Sequence, residues 1–126
     1  MKSVRMLSLW LFWPGVALIA WGELTPSPPQ LGGPLSWDKA DHFIAYFGLA
    51  SMATLILGLR PRLAWAILGV ILLSGALEIL QAFTGRDAEV LDFVANSLGA
   101  LAGASAGAAF LLLFRERALV ARPAAD

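Results

Sequence analysis

A small set of polar residues carries the chemistry open to this 126-residue chain. Asp38, His42 and Tyr46 are spaced i, i+4, i+8, with Lys39 beside them, so a helix would stack the three on one face. Glu78 and Gln81 are spaced i, i+3, again one helix face, with Ser74 one turn deeper. Asp92 and Asn96 are spaced i, i+4, and Arg86 lies in the short stretch between. Three kinds of chemistry suit such a set. His42 and Glu78 are candidates for an acid–base pair, with Asp38 or Asp92 orienting the imidazole. Carboxylates plus His42 are a donor set for a divalent ion. Alternatively, Arg86 and Lys39 would hold an anionic headgroup, while Gln81 and Asn96 supply hydrogen-bond specificity.

Composition removes many other classes. The chain has no cysteine, which excludes disulfides, thiolate metal sites, iron–sulfur clusters and a cysteine nucleophile. With a single histidine as well, a structural zinc site is not expected, and neither a bound metal nor a cofactor is predicted. There is no Gly-x-Ser-x-Gly, phosphate-binding lysine loop or dinucleotide fingerprint, and Ser74 is only a weak candidate nucleophile. Nine Lys+Arg balance nine Asp+Glu, so no nucleic-acid partner is expected.

The elements that position these residues follow from hydropathy. Apolar residues make up 59 % of the chain and charged residues 14 %, with mean hydropathy +0.74. Soluble domains carry about 25 % charged residues, so this chain lacks the polar surface to face water. Long apolar stretches run over 6–22, 43–59, 63–83 and 93–114, interrupted by one charge, Glu78. Each approaches the roughly 20 residues that cross a hydrocarbon core, and in lipid such spans must be helices. The expected fold is therefore all-α: a single polytopic domain over 1–126, a four-transmembrane-helix bundle. Lys2 and Arg5 before the first span resemble a signal peptide, but Trp21-Gly22-Glu23-Leu24 is a poor cleavage site, so the span is read as a retained anchor.

Lys2, Arg5, Arg60, Arg62, Arg115, Arg117 and Arg122 fall on one side of these spans, and only Lys39 and Arg86 on the other. The positive-inside rule then places both termini in the cytoplasm. Acidic residues show the reverse pattern. Glu23, Asp38, Asp41, Glu78, Asp87, Glu89 and Asp92 gather toward the outer end, although topology does not require it. Asp38 and Asp92 also stand where they would cap helix starts. Glu78 would lie roughly 7–8 Å below Phe83 by helix rise. A charge at that depth must face the bundle interior, pair, or bind its proton.

Two further stretches bear on packing. The outer loop, residues 23–37, contains Pro26, Pro28, Pro29, Gly32, Gly33 and Pro34, and reads as an extended spacer or as a lid. In the fourth span Ala95, Gly99, Gly103 and Gly107 recur every four residues, a small-residue stripe for close helix approach. It serves either internal packing or a homodimer seam through Gly99, Gly103 and Gly107.

At these residues the sequence resembles the VanZ-like membrane proteins. Asp38-Lys39-x-x-His42-Phe43-x-x-Tyr46 is similar to the first motif of that family. Glu78-x-x-Gln81, Gly85-Arg86 and Asp92-x-x-x-Asn96-x-x-Gly99 are similar to the second. The resemblance covers about half of the chain, Asp38 to Gly103, and departs from the pattern at Ala88-Glu89. It implies a small multi-pass protein of the bacterial inner membrane, from a family associated with resistance to teicoplanin. The motif residues carry over as Asp38, Lys39, His42, Tyr46, Glu78, Gln81, Arg86, Asp92 and Asn96, without assigned roles.

The leading expectation is an envelope protein whose outer polar pocket binds a membrane lipid or lipid-linked envelope precursor. The alternative is an intramembrane enzyme on such a substrate, using His42 and Glu78. An ion-coupled transporter is disfavoured, since no ionisable residue lies deep in the inner half of the spans.

Overall fold

The computed structural model describes residues 1–26, 38–85 and 88–120, with side chains described as far as Phe114. These residues form four helices and no strand: α1 (Lys2–Leu24), α2 (Asp38–Leu57), α3 (Arg62–Gln81) and α4 (Val90–Val120). All four are long and apolar enough to cross a membrane, α4 over Val90–Phe114.

The helices differ from the apolar stretches at their ends, for local reasons. Helix α2 begins five residues before Phe43, because Asp38 and Asp41 in its first turn favour the positive end of the helix dipole. It ends at Leu57 rather than 59. Gly58 takes φ +68°, a left-handed conformation that glycine adopts without steric cost, and its N–H still reaches Thr54 O at 2.8 Å. Helix α3 stops at Gln81, short of Phe83, in a turn closed by the N–H and the hydroxyl of Thr84, both donating to Gln81 O. Helix α1 runs through Glu23 to Leu24, so Glu23 belongs to a helix and not to the loop assigned to 23–37. The remainder of that loop, from residue 27, lies outside the described residues.

The bundle carries large apolar side chains on its outside and buries polar ones alongside its apolar core. Trp10, Trp13, Trp65 and Leu72 are exposed, while Thr54, Ser74, Gln81 and Asn96 are buried. In water such a surface would be a large exposed apolar patch; against acyl chains it costs nothing.

Helix α2 touches all three other helices and pairs most extensively with α4. Because the chain reverses at each connection, α2 and α4 run parallel. Their register is constant: Gly99 meets Phe43, Gly103 meets Phe47, and Gly107 meets Ser51 and Thr54. A Cβ on Gly99 would overlap the Phe43 carbonyl and stand 3.0 Å from Phe43 Cα. On Gly103 it would stand 2.8 Å from Phe47 Cα. The Ser51 hydroxyl donates to Gly103 O at 3.0 Å across the same seam. The glycine stripe is thus used inside the chain. Gly99, Gly103 and Gly107 are buried against α2. Beneath the polar end, Tyr46, Leu49, Ala50, Ala53, Ile67, Val70 and Ala100 form the apolar core, with Phe12, Val16 and Ile19 of α1 packed on it.

Candidate functional site: a buried polar cluster at one end of the bundle

Alternating helix direction brings the ends of α1 and α3 beside the beginnings of α2 and α4. Polar residues that are far apart in sequence meet there. Helix α1 supplies Glu23, α2 supplies Asp38, Lys39, His42 and Tyr46, α3 supplies Ser74, Glu78 and Gln81, and α4 supplies Asp92 and Asn96. Of these, Glu23, His42, Tyr46, Ser74, Glu78, Gln81, Asp92 and Asn96 are buried.

Lys39 is fully engaged. Its ammonium donates to Glu89 Oε2 at 2.6 Å and lies 2.6 Å from Asp92 Oδ1, with Asp38 Oδ2 at 3.8 Å on the rim. The Lys39 charge, expected to face an anionic headgroup, is thus shared with two carboxylates of the chain itself. Glu89, noted in the sequence among the outer acidic residues and as a departure from the family pattern, is one of those partners. The Lys39 ammonium also holds the Glu89 carboxyl below the usual carboxylate range.

His42 is bracketed by acceptors. Its Nδ1 lies 3.1 Å from Asn96 Oδ1 and 3.5 Å from Glu23 Oε1, while Nε2 faces Asp92 Oδ2 at 3.7 Å. A neutral imidazole donates from one nitrogen only; the imidazolium alone donates on both sides. The Tyr46 hydroxyl donates to Glu23 Oε2 at 3.4 Å. Glu23 therefore ties α1 into the cluster, and sequence reasoning placed it in a loop. The available signal was its position, directly ending the first apolar stretch at the acidic end of the molecule.

Glu78 has a separate role. Its Oε1 accepts the backbone N–H of Glu89, pinning the α3–α4 turn, and its Oε2 has no partner among the described residues. No hydrogen bond or ion pair joins His42 to Glu78 among the described residues, so the expected acid–base pair is not assembled directly. The partners of His42 are carboxylates and an amide, not a hydroxyl awaiting activation. Both amide atoms of Gln81 (1 % exposed) and Nδ2 of Asn96 (0 % exposed) likewise have no partner among the described residues. A buried amide group without a hydrogen bond costs about 1–3 kcal/mol. Arg86 lies outside the described residues.

Asp38, His42 and Asp92 present ligand-type atoms within 4.8 Å of one another, two carboxylate oxygens and an imidazole nitrogen. That set suits a divalent ion in donor chemistry. The Lys39 ammonium, close to both carboxylates, puts a positive charge at that position already.

Between α3 and the start of α4 runs a groove of about 280 Å³, lined by Gly75, Glu78, Ile79, Ala88, Val90 and Phe93. Apart from Glu78 its lining is apolar.

Fold and site together define an all-helical bundle of four helices, each able to cross a membrane, closed at one end by a buried polar network. No protein-family model matches the chain, and no curated protein or solved structure is significantly similar to it.

Proposed function

We propose that this chain is a VanZ-like multi-pass protein of the bacterial inner membrane, and that its polar end binds an amphiphilic cell-envelope ligand. The motif resemblance supports the family assignment, and the lysine and arginine distribution supports cytoplasmic termini with the polar end outside. The ligand is a membrane lipid or a lipid-linked envelope precursor. A role in teicoplanin resistance would follow if that ligand belongs to cell-wall synthesis.

One observation carries the binding reading. Gln81, Asn96 and Glu78 leave hydrogen-bonding atoms unmatched within the chain at the same end of the bundle, beside an apolar groove. Lys39, by contrast, is engaged within the chain by Glu89 and Asp92. Binding is favoured over catalysis because His42 is committed to Asn96, Glu23 and Asp92.

The test is native mass spectrometry of gently extracted protein, wild type beside Gln81→Leu, a change that keeps bulk and removes the amide. A discrete amphiphile retained by wild type and lost from the variant is the expected result. Identical adducts on both proteins would overturn the binding reading and leave a structural network in its place.

A further inference from the structure

We propose that the groove between α3 and the start of α4 is a chain site, holding the headgroup-proximal stretch of one acyl chain of a membrane lipid. This rests on the reading of the polar end as an amphiphile site and deepens it by placing the ligand's hydrocarbon.

The groove joins two environments. Ile79 and Val90, 67 % and 78 % exposed, stand at its mouth on the outer surface of two helices able to cross a membrane. In a bilayer that surface is covered by acyl chains, which fixes the chemistry of the occupant. On the inner side stands Glu78, nine-tenths buried, with Oε2 unpartnered among the described residues. A carboxyl group bonds polar atoms in either protonation state. The groove therefore runs from apolar surroundings to a buried polar group, as an amphiphile does along its own length.

Its height limits how much chain it takes. Gly75 and Ile79 are four residues apart on α3, about 6 Å by helix rise. At the level of Gly75 the groove closes. A Cβ there would stand 3.3 Å from the Phe93 ring, so α3 and α4 are already in contact. The opposite wall is held at the polar end by Glu89, which lies between the lining residues Ala88 and Val90. Glu89 donates its N–H to Glu78 Oε1 and accepts from the Lys39 ammonium through its carboxylate. A slot one turn tall beside the polar end accommodates the few methylenes next to a headgroup. The rest of the chain leaves past Ile79 and Val90 into the bilayer.

The experiment uses the full chain in nanodiscs of phosphatidylethanolamine and phosphatidylglycerol whose acyl chain carries a photoactivatable diazirine, either beside the ester or at the far end. Labelled residues are read by mass spectrometry of the digested protein. With the ester-proximal probe, Ile79, Val90 and Phe93 should be labelled about fivefold or more above Ile44 and Leu91, exposed residues of the same end outside the groove. The far-end probe should give no such excess. Gly75→Leu and Val90→Trp should each remove the excess at Ile79 by filling the slot, and Val90 is exposed, so its replacement leaves the packed interior intact. Even labelling by the ester-proximal probe, an equal excess from the far-end probe, or an excess unchanged in Val90→Trp overturns the chain site. If labelling is even while Gln81→Leu still loses a discrete amphiphile, the chain site falls and the polar-end reading stands. An excess in the groove with no amphiphile lost in Gln81→Leu keeps the chain site and overturns the polar-end reading.

Discussion

Lys39 Nζ lies 2.6 Å from Asp92 Oδ1, and this ion pair ties the first turn of α2 to the first turn of α4. The Asp92 side chain is 5 % exposed and that of Lys39 15 %, so neither charge is well solvated by water. Together with the glycine seam below it, the pair sets the register between two parallel helices that are not adjacent in sequence.

Removing the lysine charge should be costly. Lys39→Met leaves Asp92 buried without its counter-ion and is expected to destabilise the bundle by about 3 kcal/mol. Adding Asp92→Asn should recover a substantial part, because the uncompensated charge is then gone. A double-mutant cycle on unfolding in mixed micelles measures the coupling. Additive losses would show that the pair contributes nothing specific.

Glu89 reports on the same clamp through pH. Its carboxyl titrates below the ordinary glutamate range because Lys39 favours the charged form. A depressed folded-state pKa means that the contribution is complete above the ordinary range and is lost as pH falls through the lowered value. Carbon-13 NMR of the Glu89 carboxyl should show this low titration in wild type. In Lys39→Met the midpoint should move back up.

The seam between α2 and α4 predicts a contrast among glycines. Gly99→Ala drives a methyl group into the Phe43 backbone and should cost roughly 1–3 kcal/mol or more, as overpacking does. Gly48→Ala meets no atom within 4 Å and should stabilise α2, by about 0.8–1.0 kcal/mol from helix propensity. Thermal unfolding of the two variants beside wild type decides it. Equal behaviour would mean that the close approach is not what holds the helices.

Orientation is open to direct labelling, since the chain has no cysteine of its own. A membrane-impermeant maleimide added to intact cells should modify Thr84→Cys, at the polar end. It should not reach Arg60→Cys, in the opposite turn. The reverse pattern would place the polar cluster in the cytoplasm and overturn the proposed topology.

Four helices, their order and the residue types of the polar end were legible in the sequence. Apolar stretches of near membrane-spanning length must be helical in lipid, and short connections force neighbouring helices to run antiparallel. Spacing alone placed Asp38, His42 and Tyr46 on one face, and Asp92 with Asn96 on another. Partner choice was not legible, because periodicity fixes which way a helix face points and not which face it meets. Thus Lys39 is paired with Glu89 and Asp92, and His42 with Glu23, Asp92 and Asn96 rather than with Glu78. Glu23 entered the cluster because α1 continues two residues past its apolar stretch and its end packs beside α2. The glycine stripe was visible as a surface for close approach, but only the packed bundle gave it to α2. Hydropathy and helical period act along one element at a time. Charge pairing and close packing depend on distances between elements, and those are set by the tertiary structure.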